Sequence, residues 1–108
     1  MKIAELVTNA EAAEQFLKAL ANKHRLLVLC ALHDAERSVG ELQARVDLSQ
    51  SALSQHLARL REDGLVVTRR SSQTIYYALA DESVTKMIAL LHELFCVPKK
   101  RRKRGSAK

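Results

Sequence analysis

The sequence predicts a mainly α fold with a β-hairpin, in the order α-α-α-α-β-β-α, arranged as a winged helix-turn-helix. Three observations carry that expectation. Residues 48–63 place Leu53, Leu57 and Leu60 at steps of 4 and 3, one apolar stripe of a helix, and Gly64 stops the pattern. A shorter helical pattern comes just before it, across a tight turn at Val46-Asp47. Two β-branched and aromatic runs, 65–70 and 74–79, come just after it and flank Ser71-Ser72-Gln73. A short helix, a turn and a polar-faced second helix spell helix-turn-helix, and a hairpin directly behind them is a wing.

Taken in order, residues 1–8 carry no pattern and are expected to be frayed or loosely packed. Asn9 is the expected cap of a first helix to about Leu20, with Ala13, Phe16, Leu17 and Leu20 as its apolar stripe. Asn22 starts a second helix whose run 26–32 has no polar face, so it is expected to be central and buried on several sides. Ser38 and Glu41 have capping-box spacing, and Val39, Leu42 and Val46 then face inward from a short third helix. Ser49 is placed to cap the fourth. Asp81 is placed to cap a last helix to about Cys96, with Val84, Met87, Ile88, Leu91, Leu94 and Phe95 along one side. Pro98 ends it.

Composition bounds the rest. The chain has 108 residues, room for one domain and one core. That domain is expected over 1–98, with 99–108 a disordered basic tail. Apolar residues make up 47%, with no Trp, two Tyr and two Phe, so a Leu/Val/Ala helical core is expected. No apolar run reaches the ~18 residues of a membrane helix, and no signal peptide opens the chain, so the expected location is cytoplasmic with no membrane partner. The net charge of +6 belongs to the tail. Lys99, Lys100, Arg101, Arg102, Lys103, Arg104 and Lys108 are seven of the 18 basic residues, leaving 11 basic against 12 acidic groups in 1–98. Overall charge is therefore no argument for nucleic-acid binding by the body. The tail either adds salt-sensitive attraction to phosphates or serves solubility alone.

The DNA-binding expectation rests on where residues sit. Opposite the leucine stripe of the fourth helix lie Ser51, Ser54, Gln55, Ala58 and Glu62, with Gln50 and Arg59 at the edges. A solvated face more often carries Lys and Glu; short amides and hydroxyls suit a helix that touches base edges in the major groove. Gln50, Ser51, Ser54, Gln55, His56 and Arg59 are the candidate groove contacts, His56 being beside the leucine stripe. Ser38, Arg69 and Arg70 are the candidate phosphate contacts, although the two arginines also fit a solvated loop tip. The apolar stripes of the first and last helices exceed what so small a core consumes. The surplus points to a homodimer through the terminal helices, with two recognition helices about one DNA turn apart on a palindromic double-stranded operator. No nucleotide loop, carboxylate pair or triad appears, so neither an enzyme nor a cofactor is expected.

Cys30 and Cys96 are 66 residues apart and form no CxxC motif. Taken alone they read as small buried apolar residues, kept reduced in the cytoplasm.

Several stretches together resemble the ArsR/SmtB-type winged-helix repressors. They are Ala19-Leu-Ala-Asn-Lys-His-Arg-Leu, Ser38-Val-Gly-Glu-Leu, Leu48-Ser-Gln-Ser-Ala-Leu-Ser-Gln-His-Leu-Ala-Arg-Leu-Arg-Glu-Asp-Gly-Leu-Val and Gln73-Thr-Ile-Tyr-Tyr-Ala-Leu. The resemblance covers roughly 19–96 and implies a homodimeric repressor whose ligand or oxidant weakens operator binding. It also lets the family's metal positions be checked. The Cys-Val-Cys of one metal class is matched here by Ser38-Val39-Gly40. The Asp, His, His and Glu of another are matched by Asp81, Ser83, Leu94 and Val97, so three of four ligands are missing. Neither family metal site is expected.

The resemblance is nearest to the dithiol redox and reactive-sulfur branch of SqrR/BigR/HlyU type. That branch carries one Cys in the second helix and one at the end of the last, which Cys30 and Cys96 match. It implies that these two thiols are redox-sensing. Persulfide, polysulfide or oxidant as inducer would bridge them and lower DNA affinity. A bridge closing a loop of that length supplies about 4 kcal/mol of constraint in the chain-entropy model. Lys23, Arg25, His24, His33 and His92 are candidate neighbours able to stabilise a thiolate, or plain solvated residues. Two alternatives stay open: a regulator of the same fold, or an anti-repressor, with no thiol switch; and a metal-responsive repressor using Cys30, Cys96, His33 or His92.

Overall fold

A computed structural model describes residues 1–96 as α1 (Ile3–Leu20), α2 (Lys23–Ala31), β1 (Arg37–Ser38), α3 (Val39–Gln43), α4 (Gln50–Glu62), β2 (Val66–Ser71), β3 (Thr74–Leu79) and α5 (Glu82–Cys96). The expected stop at Pro98 and the basic tail lie outside the described residues. The architecture is a winged helix-turn-helix.

Capping explains most boundaries. The Asn22 side chain accepts from the backbone N–H groups of His24 and Arg25, each at 3.0 Å, and opens α2. Ser38 Oγ accepts from Glu41 N while the Glu41 carboxylate accepts from Ser38 N at 2.9 Å, the reciprocal box the spacing predicts. Ser49 accepts from Ala52 N at 3.1 Å to start α4, and Asp81 accepts from Val84 N at 3.1 Å at the entry to α5. At the end of α4, Leu65 N donates to Leu60 O and Gly64 N donates to Arg61 O, with Gly64 at φ +78°. That is a Schellman motif, and the left-handed backbone is why a glycine stands there. It turns the chain straight into the wing.

Four expectations are corrected. Helix α1 starts at Ile3, not at Asn9. Asn9 is interior to it, and its amide donates to Glu5 O at 2.9 Å instead of capping. The apolar run of α2 is buried on one side only: Val28, Leu29 and Leu32 are in the core, whereas Leu27 is 47% exposed and Cys30 is exposed. A third strand exists. Arg37 and Ser38 pair with Tyr77 and Tyr76, giving the antiparallel order β1-β3-β2. Finally, the hairpin turn has two residues, Ser72 and Gln73, since Ser71 still pairs with Thr74. Ser72 has φ +57°, the sign that the first position of a type II′ hairpin turn demands.

The core joins every layer. Leu53, Leu57 and Leu60 of α4 are buried against Val28 and Leu29 of α2, Leu42 of α3, Leu65 and Val66 at the wing root, and Val84 and Ile88 of α5. Alternation along β2 places Val66, Thr68 and Arg70 on the inner face of the wing, and Val67, Arg69 and Ser71 on the outer. The first half of α1 buries nothing: Ile3, Leu6 and Val7 are all exposed. No helix among the described residues is long and apolar enough to cross a membrane.

Candidate functional site

The leucine stripe fixes the roll of α4. With Leu53, Leu57 and Leu60 turned into the core, Gln50, Ser51, Ser54, Gln55 and Arg59 are all left exposed. The Arg59 guanidinium donates from Nε to Asp63 Oδ2 at 2.8 Å, one turn along the same helix. This anchors its charge at the C-terminal end of the helix, where a cation is favoured by the helix dipole. His56 is placed apart from this set. It is half-buried, and its ring lies 5.9 Å from that of His24 on α2. Desolvation, then the charges of Arg25 and His24, hold the His56 imidazole below its usual range. Ser38 Oγ spends its acceptor on the N-cap and keeps its O–H free to donate.

Arg69 and Arg70, adjacent in sequence, are on opposite faces. The Arg69 guanidinium lies over the Tyr76 ring, 4.9 Å from its centre. It donates from Nε to the Glu36 carboxylate at 2.9 Å and from Nη2 to the same group. This fork lowers the pKa of Glu36 and raises that of Arg69, hydrogen bonding being the main cause in both. Arg70 makes no ion pair among the described residues.

Cys30 and Cys96 are both free and exposed. Burial raises the Cys30 pKa, and the neighbouring Cys96 charge raises it further, so the two thiols, 66 positions apart, are electrostatic neighbours. Between α2 and α5 an open pocket of about 400 Å³ is lined by Cys30, His33, Asp34, Ile88, Ala89 and His92. Of the five candidate thiolate neighbours, then, His33 and His92 share the pocket with Cys30. Arg25 is committed elsewhere, donating from Nε to Ala19 O at 2.7 Å and from Nη2 to Lys18 O. His24 is committed to His56, and Lys23 is exposed. Among the described residues, no three His, Cys, Asp or Glu side chains group closely enough to hold a metal ion.

Sequence reasoning missed Glu36, Tyr76 and Asp63. Arg59 and Asp63 stand at the i,i+4 spacing that pairs opposite charges on a helix, so that contact had a signal. Glu36 and Arg69 are 33 residues apart and had none.

Residues 22–68 match the sequence model of bacterial regulatory proteins of the arsR family. HlyU of Vibrio cholerae, a transcriptional activator, is 55% identical over 96 residues, 89% of each chain. The structure of its reduced form matches with TM-score 0.81 at 56% identity, covering 86% of this chain and 98% of that one. The transcriptional repressor BigR from Xylella fastidiosa matches with TM-score 0.83 at 35% identity, over 91% and 100%. A homodimeric winged helix-turn-helix DNA-binding domain from Mycobacterium bovis matches with TM-score 0.73 at 31% identity, over 80% of each. The chain belongs to the ArsR family of bacterial regulatory proteins and is a transcriptional regulator.

Proposed function

We propose that this protein is a homodimeric repressor that grips palindromic operator DNA and lets go when Cys30 and Cys96 are bridged or oxidised. The inducer is a reactive sulfur species, persulfide or polysulfide, or an oxidant. One observation supports the reading: Cys30, in the last turn of α2, opens on a pocket lined by Ile88, Ala89 and His92 of α5, the helix that ends on Cys96.

The chemistry balances. One Cys thiolate attacks a sulfane sulfur of the polysulfide, and the shortened polysulfide leaves. The second thiolate attacks the resulting Cys persulfide, forming a disulfide and expelling hydrosulfide, so both electrons end on the sulfane sulfur. With peroxide, the first thiolate becomes a sulfenic acid and releases hydroxide; the second thiol condenses with it and releases water. Either way α2, which packs under the recognition helix, becomes tied to α5. The tie changes how the two recognition helices are held, which is how a local bond reaches the operator.

Groove contacts are assigned to Gln50, Ser51, Ser54, Gln55 and Arg59, and phosphate contacts to Ser38 and Arg70. His56 is left out because it is turned to α2. The dimer is supported by Ile3, Leu6, Val7 and Leu17 on α1 and Leu90 and Leu94 on α5, all exposed. So much apolar surface on the two terminal helices marks an association surface. The M. bovis relative, a homodimer of this fold, agrees with it. The proposed place of action is the cytoplasm, with the operator.

HlyU is a transcriptional activator, which favours a second reading: a regulator that displaces another DNA-binding protein and has no thiol input. One titration separates the two, on a palindromic duplex selected from a random pool with the wild-type protein. Polysulfide weakens wild-type binding about tenfold, and Cys30→Ser and Cys96→Ser both abolish the effect. Equal behaviour of all three proteins selects the second reading.

A further inference from the structure

Adjacent arginines on the wing invite the assumption that both meet DNA. The geometry points to a division of labour, and we propose that Arg69 is a positioning residue, clamped by Glu36 and Tyr76 so that the wing holds Arg70 against the phosphate backbone.

The clamp spans the whole sheet. Arg69 is on β2, and Tyr76, its cross-strand partner, is on the central strand β3. Glu36 immediately precedes β1, which pairs with β3 through only Arg37 and Ser38. The Arg69 side chain therefore runs across the Tyr76 ring and ends on a carboxylate beyond it, tying β2 to the root of β1. Such a short β1–β3 ladder leaves the wing weakly fixed to the helix-turn-helix that Ser38 opens. A forked carboxylate contact plus a stacked ring supplies the missing angular restraint, which a point charge on a flexible stem does not.

Three further facts oppose Arg69 as a phosphate ligand. Its charge is already balanced by Glu36. Leaving Glu36 for a phosphate would strand a bare carboxylate beside the DNA backbone. And Arg69 is on the outer face of the wing, whereas Arg70 shares the inner face with Val66, the side that packs on α4. Of the two wing arginines, Arg70 is the one with no ion pair to break among the described residues.

A charge swap tests this on the selected duplex, with salt dependence measured for each protein. Arg69→Glu weakens binding. Glu36→Arg weakens it too, although it adds positive charge, because two like charges open the clamp. The double variant reverses the pair and returns to within about threefold of wild type, the coupling expected of residues in contact. Glu36→Gln, a near-isostere on an exposed side chain, weakens binding with the salt slope unchanged, whereas Arg70→Ala lowers the slope by about one per protomer. The proposal is overturned if Glu36→Arg or Glu36→Gln tightens binding and the double variant stays as weak as Arg69→Glu. In that case Arg69 itself meets a phosphate.

Discussion

The imidazole of His56, on the recognition helix, lies 5.9 Å from that of His24 at the start of α2, the two rings tilted by 35°. At this joint between the two helices, burial first and then the charges of Arg25 and His24 disfavour a proton on His56. The sign is fixed by linkage. A histidine whose folded pKa lies below its unfolded value binds fewer protons folded than unfolded. Stability is then lost as pH falls through the ordinary imidazole range toward the depressed value. Thermal unfolding from pH 7.5 down to 5.5 should show a falling midpoint in the wild type and a flatter profile in His56→Gln. Parallel profiles would remove His56 from the account.

The recognition helix depends on its leucines for its roll as well as its stability. Leu53 is 0% exposed and Leu57 1%, inside a single packed cluster. Leu53→Ala should cost about 2–5 kcal/mol in denaturant unfolding, with the spread set by how far the site collapses. A loss under 1 kcal/mol would mean that the packing around α4 is looser than its burial implies.

Base reading and phosphate gripping separate by substitution. Gln55→Ala should relax sequence preference at one operator position, at a cost of about 1–3 kcal/mol on the preferred duplex and little on others. Measuring the variant against a panel of single-base operator changes checks this. An unchanged preference profile would move the reading face off this side of α4.

Much of this arrangement was legible because its causes are local. The capping box at Ser38 and Glu41, the stripe of Leu53, Leu57 and Leu60, and the stop at Gly64 each depend on residues within a few positions. What escaped depends on distance or context. A two-residue strand such as Arg37-Ser38 is too short to show a period, and only Tyr76 and Tyr77 make it a strand. The start of α1 did have a signal, Ile3, Leu6, Val7 and Ala10 at helical spacing, but no capping side chain marks it, because Lys2 at the N-cap makes no side-chain hydrogen bond and Asn9 offered a false start. Cys30 sits in an unbroken apolar run yet faces outward, since α2 packs by only one side. Partial burial of its thiol and the nearness of Cys96 are facts of tertiary structure, and in the sequence only the family resemblance hinted at them.

That outward apolar surface sets a prediction about assembly. Leu6 of α1 is 49% exposed and Leu94 of α5 37%, and Leu6 belongs to an open apolar groove with Ala10, Ala13 and Leu17. Leu6→Glu combined with Leu94→Glu should shift sedimentation from dimer to monomer at micromolar concentration. It should also make operator affinity fall steeply, because the two half-sites are no longer gripped together. A double variant that still sediments as a dimer would place the subunit interface elsewhere.

The thiol bridge is tested most directly by intact-mass and peptide-mapping analysis of the full chain after polysulfide treatment, under conditions where DNA affinity has fallen. A crosslinked peptide pair joining Cys30 to Cys96 within one chain is expected, either as a direct disulfide, two hydrogens lighter than the reduced pair, or with added sulfur in the bridge. Loss of DNA affinity with both thiols recovered unlinked and unmodified would contradict it.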